Sequence, residues 1–283
     1  MAIHNVRRLR VSLHCTKISV MCSTALAFFA SNPAYTADLP STVVPSSSHT
    51  SASDWKFQLG LYGWATALNG DVGVRNLPNA SINVPFSKVL RNLDGALMGS
   101  LIANNGKWLV LGDVVAAKLS HSRAFNTAYG SSVGADLNQT VVTGALGYIL
   151  PTSRVDTDFA ITGGLRYTSV KSSMQFDSSK PLPSVPTSQR KSWIDPTIGV
   201  FAQRSINEKL YVNAIVDIGG FGVGSKLSSS GYLGLGYLWT NSFSTSIGYR
   251  YLYENYKSSG SGKDAFRYKT TIHGPTIAAM WRF

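Results

Sequence analysis

The chain has 283 residues, 44% of them hydrophobic and only 14% charged, with a formal net charge of +12. Such a composition excludes a disordered polymer, which is poor in apolar residues and rich in charge. After the first forty positions no apolar run is long enough for a membrane helix, which excludes a helical multi-span protein.

The charge is unevenly placed. Residues 1–37 hold four basic residues, no acidic one and both cysteines, Cys15 and Cys22. The rest carries 22 basic against 14 acidic residues, about +8. Lacking cysteine, it can form neither a disulfide nor a thiolate metal site. A basic segment, Arg7 to Lys17, precedes the apolar run Ile18 to Ala30. That run has the size of an export-signal core and is too short to span a bilayer. We expect a signal peptide over 1–37, cut between Ala30 and Ala37. Residues 38–53 are a Ser/Thr/Pro linker without periodicity, expected to be disordered.

From Trp55 the hydrophobic period is two. Trp55, Phe57, Leu59 and Leu61 alternate with Lys56, Gln58, Gly60 and Tyr62. Phe159 to Tyr167, Leu210 to Ile218 and Phe243 to Tyr251 repeat the pattern. Each reads as a strand with one apolar and one polar or small face. Connections alternate in length. Asn104–Lys107, Pro151–Val155, Ser205–Glu208 and Thr240–Ser242 are short, whereas 67–92, 120–135, 169–192, 219–228 and 255–265 are long. With the export signal, this alternation indicates a membrane barrel whose polar face lines the lumen. Ten strands are expected, over 55–66, 94–103, 108–119, 136–149, 157–168, 193–204, 209–218, 229–239, 243–254 and 266–283. An eight-stranded alternative would demote the second and third. A short helical turn is expected at Phe86–Leu93, and a bulge at Gly274-Pro275, where the apolar parity of the last strand flips. Residues 54–283 are thus expected to form one closed antiparallel transmembrane β-barrel.

Asp113, Arg166, Asp195, Asp217, Arg250 and Glu254 fall on lumen parity or near strand ends. In a narrow barrel, charges there must be paired. They read as an Arg–carboxylate network plugging the lumen, or as a selectivity ring of a narrow pore. Gly219 to Ser225 is glycine-rich, but another strand follows it. It reads as an outer turn rather than a phosphate loop, which needs a helix N-terminus. His273 would be the centre of a lipid-modifying acyl hydrolase, yet no Gly-x-Ser-x-Gly elbow accompanies it. The scattered histidines make no metal-ligand spacing. No cofactor, metal or catalytic residue is expected, and the chain is not expected to be an enzyme. Trp55, Trp64, Trp108, Trp193, Tyr237, Trp239, Tyr249, Tyr251, Tyr253, Tyr256 and Trp281 are read as two interfacial girdles. Tyr251, Tyr253 and Tyr256 could also form a sugar platform.

The chain ends on Ile277, Ala279, Trp281 and Phe283. A terminal Phe on such a strand resembles the signal read by the outer-membrane barrel assembly machinery. The span from Trp55 to Phe283 resembles small Gram-negative outer-membrane barrels of the opacity-type surface-antigen class. Within that class, Trp193-Ile-Asp-Pro196, Asp217 to Ser225, Gly248-Tyr-Arg-Tyr251 and His273-Gly-Pro275 look like the recurring set of a narrower group. The resemblance implies an adhesin-like, structural or small-pore role in the outer membrane. Loops and rims carry Lys171, Lys180, Arg190, Lys191, Lys257, Lys263, Arg267 and Lys269. These suit contact with anionic outer-membrane lipid and lipopolysaccharide; nucleic acid is not expected as a partner.

Overall fold

The computed structural model describes residues 55–74, 80–125, 131–154, 156–177, 187–260 and 265–283. The expected signal peptide, cleavage site and linker lie outside them, as do Lys180 and Lys263. In chain order the elements are β1 (Lys56–Trp64), β2 (Ala67–Val74), β3 (Ala80–Val84), α1 (Phe86–Arg91), β4 (Leu93–Asn104), β5 (Trp108–Phe125), β6 (Ser131–Ile149), β7 (Thr157–Asp177), β8 (Thr187–Ser205), β9 (Leu210–Gly219), β10 (Leu227–Leu238), β11 (Phe243–Lys257) and β12 (Phe266–Arg282).

Ten strands close an antiparallel barrel. β1 pairs with β4, each following strand pairs with the next, and β12 returns to β1 from Gln58↔Arg282 to Trp64↔Thr276. The seam is sealed at its inner end by reciprocal bonds, with Phe57 and Phe283 each donating to the other's carbonyl. Up to Leu61↔Gly99 on the β1–β4 seam, closure leaves no unpaired edge in hydrocarbon, the condition for a spanning sheet. The second and third strands of the expected set, β4 and β5, are both in the wall, so the eight-stranded alternative falls.

The first outer loop holds more than the expected helical turn. β2 carries on the line of β1 along β12, and β3 folds back on β2. The outer loops expected at 120–135 and 169–192 are also largely strand. β5 pairs with β6 up to Phe125↔Ser131, and β7 with β8 up to Met174↔Thr187. His121, expected on a loop, therefore lies within β5.

Side chains explain this extension. From Phe159 to Tyr167 the outward positions of β7 include Ile161 and Leu165, both exposed, while Thr162 and Arg166 face inward and are buried. That span is close to the ~9–11 residues of a tilted membrane strand. Beyond Tyr167 the sense reverses: Val170 is buried inside, and Ser169 and Lys171 take the outward positions. β8 and β12 behave alike, with Ile198 and Ile277 exposed in the belt, Trp193 and Tyr268 buried above it, and Arg190 and Lys269 outward. The inner part is polar inside and apolar outside, as lipid requires. The outer part has the opposite sense, as water requires, and its apolar interior keeps the strands together beyond the membrane.

The same reversal replaces the bulge expected at Gly274-Pro275. The β11–β12 register is unbroken from Phe243↔Trp281 to Lys257↔Arg267. Phe266, Tyr268 and Ile272 are buried because they face the upper interior, so the change of parity is a change of surroundings. The glycine serves a close approach instead. At Ala65 the chain passes from β1 to β2, Ala65 donates to the Pro275 carbonyl (2.9 Å), and a Cβ on Gly274 would lie 1.9 Å from the Ala65 oxygen. Gly274→Ala is expected to cost about 1–3 kcal/mol by overpacking. Gly144→Ala, where a Cβ meets open space, should leave the urea midpoint unchanged. Equal midpoints for the two variants would contradict this reading.

Aromatic side chains ring the inner end. Trp55, Phe57 and Phe283 stack in sequence, Trp108 meets Tyr148 edge-on, Tyr237 meets Trp239, and Phe243 meets Trp281. Trp64 and Trp193, expected in the girdles, are instead buried inside the barrel. Tyr256 stacks on Trp193 at 4.1 Å, which removes it from any sugar platform with Tyr251 and Tyr253.

Candidate functional site

The lumen is built in levels. Nearest the short turns, Ile102, Leu109, Ile149, Ala160 and Phe201 pack as an apolar floor. Across from them Tyr211 lies under the Arg282 guanidinium, 5.0 Å from the ring centre, and its hydroxyl meets Ser244 at 3.2 Å. Leu109, Phe201 and Tyr211 are almost wholly inaccessible.

Above the floor stand two ion pairs on opposite walls. Arg250 of β11 donates to Asp113 of β5 through both terminal guanidinium nitrogens, Nη2 at 2.6 Å and Nη1 at 3.0 Å. Tyr62 donates to the same carboxylate at 2.8 Å, and the Arg250 guanidinium lies 5.1 Å from the Trp64 ring centre. On the other wall Arg166 of β7 binds both oxygens of Asp217 of β9, at 2.8 and 2.7 Å. It also donates to Ser228 (2.7 Å), Ser230 (2.9 Å) and Thr143 (3.3 Å). Arg166 is 2% exposed. Its hydrogen-bonding capacity is thus used almost completely, which burial of a guanidinium demands. A cavity of about 120 Å³ lies between the pairs and touches all four charged residues. Its charged rim is set among apolar side chains such as Leu111 and Ile215, and it is large enough for several water molecules.

The remaining two carboxylates stand apart. Asp195 receives the Ser225 backbone N–H (2.6 Å) and hydroxyl (2.8 Å), stapling the outer turn over 220–226 into the wall. In that turn Gly220 and Gly222 have φ of +89° and +81°. The backbone N–H groups of Gly220, Gly222 and Val223 donate to Pro196, Ser225 and Gly220 carbonyls. These amides are spent within the fold, so the motif offers no phosphate cradle. Glu254 is buried and accepts from Thr168, while its second oxygen has no partner among the described residues. All six residues singled out in the sequence face the interior, but as two ion pairs and two hydrogen-bonded carboxylates rather than one network. Sequence reasoning missed their hydroxyl partners Tyr62, Thr143, Thr168, Ser228, Ser230 and Ser225. Inward parity on β1, β6, β7 and β10 marks the first five, whereas nothing local marks Ser225.

His273 is on the outer face, not in the lumen. Its Nδ1 meets the Tyr249 hydroxyl at 2.7 Å and its Nε2 the Asn69 carboxamide at 2.9 Å. Both ring nitrogens are engaged in a side-chain ladder across β11, β12 and β2. No serine hydrogen-bonds it among the described residues, and no cluster of three metal-ligating side chains occurs among them.

No family model matches the chain, and no curated protein matches it. Solved structures do. The outer membrane protease OmpT from Escherichia coli is similar with a TM-score of 0.50 at 9% identity, over 82% of this chain and 98% of that one. The translocator domain of the autotransporter NalP from Neisseria meningitidis gives 0.41 at 13% identity, over 82% and 90%. The attachment protein Ail of Yersinia pestis gives 0.35 at 10%, over 81% and 98%. At these identities the likeness to OmpT shows a shared fold alone. Closed ten-stranded sheet, outward apolar belt and that likeness define the class: this chain has the fold of the outer-membrane β-barrels.

Proposed function

We propose that this barrel is a structural and surface-interaction protein of the outer membrane with a closed lumen, acting through its outer rim and loops. The observation that carries the reading is the filling of the interior at successive levels. Apolar floor, paired arginines and an upper cluster of Val170, Trp193, Phe266 and Tyr268 leave their largest side chains nearly inaccessible. The outer rim supplies the contact surface. Lys171, Arg190, Arg267 and Lys269 take outward positions above the belt, where they suit the phosphates of lipopolysaccharide or another anionic partner. The opacity-type resemblance of the sequence agrees with such a role. The outward face Ile277, Ala279, Trp281 and Phe283 on the closing strand suits recognition by the barrel assembly machinery.

A narrow pore is the second reading, favoured by the cavity that touches both ion pairs. Planar-bilayer recording separates the two. The purified barrel, its folding verified by heat-modifiable gel migration, is expected to be silent. Discrete charge-selective steps, shifted in selectivity by Asp113→Asn, would replace the closed-barrel reading with a pore.

A further inference from the structure

The wall of the barrel is not hydrogen-bonded all the way up. Pairing between β1 and β4 stops at Leu61↔Gly99. Above that level β2 pairs with β12 and β3, and β4 pairs only with β5. The chain crosses this gap once, as α1. The helix begins after Pro85 without a side-chain cap, and the Asn92 carboxamide closes its end on the Lys88 carbonyl at 2.8 Å. Asn92 is tied to the wall through its own carbonyl, which accepts from Ser120 of β5.

Behind α1 lies a second cavity, about 80 Å³, which unlike the lower one touches no charged side chain. Its lining is mostly hydrocarbon and carries no charge, including Leu68, Val89, Met98, Val115 and Leu252, with Trp64, Thr66 and Gln139 among them. A void of this kind stays dry and accepts an apolar guest. The Trp64 ring nitrogen is a buried donor without a partner among the described residues, which an ester carbonyl would satisfy. On the outside of the same gap, Leu90 and Leu97 are 55% and 64% exposed. Their level is the top of the apolar belt, where outward Val114 on β5 gives way to Lys118. Lys88 and Arg91 stand on the last turn of α1, exposed and with no ion pair among the described residues.

We propose that this gap is a lateral entrance, and that the cavity behind α1 holds a segment of an acyl chain of an anionic membrane lipid. The chain leaves the bilayer between β1 and β4 beneath α1, the cavity takes a short stretch of its hydrocarbon, and Lys88 and Arg91 hold the headgroup phosphate at the rim. A hydrocarbon chamber opening toward lipid, with cations on its lip, has the polarity pattern of the ligand itself. Membrane lipid is also the apolar molecule present at high concentration at that level.

Trp64 is the reporter. It faces inward at 7% exposure, so bulk lipid does not reach it. The full barrel is reconstituted in vesicles of phosphatidylglycerol brominated on its acyl chains. Quenching at Trp64 is the difference between wild type and Trp64→Phe, both checked for folding by gel migration. Strong quenching is expected. It should disappear in Ala117→Phe, which fills the cavity, and fall several-fold in the Lys88→Gln/Arg91→Gln double variant or in brominated phosphatidylcholine. A folded barrel whose Trp64 is unquenched by either lipid would overturn the proposal. Equal quenching by both lipids, unchanged in the double variant, would overturn the assignment of the anionic headgroup.

Discussion

Arg166→Ala is expected to destabilise the folded barrel by about 3–5 kcal/mol, the cost of leaving a buried carboxylate without its cation. The loss is larger than that of one ion pair because Arg166 ties four walls together. Its guanidinium on β7 reaches Thr143 of β6, Asp217 of β9, and Ser228 and Ser230 of β10. Two features set the size. Ser230 still donates to Asp217 when the arginine is gone, and the cavity of about 120 Å³ touches Asp217 and can bring water to it. Both place the expected loss at the lower end of the range. Arg166→Lys keeps the charge but loses the planar fork that serves Asp217 and the two serines together, so it should recover only part of the stability. Arg166→Met combined with Asp217→Leu removes both charges and should come close to wild type. Urea unfolding in vesicles, followed by tryptophan fluorescence, measures all three. A double variant as unstable as Arg166→Ala would show that the arginine acts by packing rather than by charge.

Trp193→Ala should cost about 3–5 kcal/mol, as expected when a large buried aromatic is truncated. The ring is 5% exposed, stacks on Tyr256 at 4.1 Å with planes 7° apart, and lies 5.9 Å from Tyr268. Its location makes the loss local. In the belt, the surrounding lipid and the lumen ion pairs hold the strands independently of the upper interior. Above the belt the apolar interior is what holds β6 to β8 against β11 and β12. Truncation should therefore open the outer half while the membrane part persists, a sub-global unfolding. Limited proteolysis of reconstituted barrels should cut the β7–β8 hairpin much faster in Trp193→Ala than in Trp281→Ala, whose ring belongs to the inner girdle. Equal cleavage rates would mean that the outer half is held by its backbone ladder alone.

How far these sites are legible from sequence follows from where each signal lies. Alternation over Phe159 to Tyr167 or Phe243 to Tyr251 is local, and it reports which face meets lipid. Inward placement of Arg166, Asp217 and Arg250 follows from the same parity. Parity carries no information about partners, because a register joins residues far apart in the chain. Arg166 and Asp217 are separated by 51 positions, and Arg250 and Asp113 by 137. Trp193 shows the complementary limit. An aromatic near a strand end reads as an interfacial ring, and only the height of its strand above the belt makes it core. The bulge expected at Gly274-Pro275 has the same origin, since a parity flip in sequence can mean an extra residue or a change of solvent.

By itself, then, the sequence determined a closed antiparallel barrel of ten strands, the face each strand turns to lipid, and the charges turned inward. Those properties follow from period two, from the alternation of short and long connections, and from the demand that a spanning sheet leave no edge unpaired. Tertiary structure alone decided which charges pair, that the outer half reverses its polarity, that β1 and β4 part above Leu61, and that α1 covers the gap. Each depends on distances between segments remote in the chain and on the height of the water boundary, neither of which a local hydrophobic period encodes.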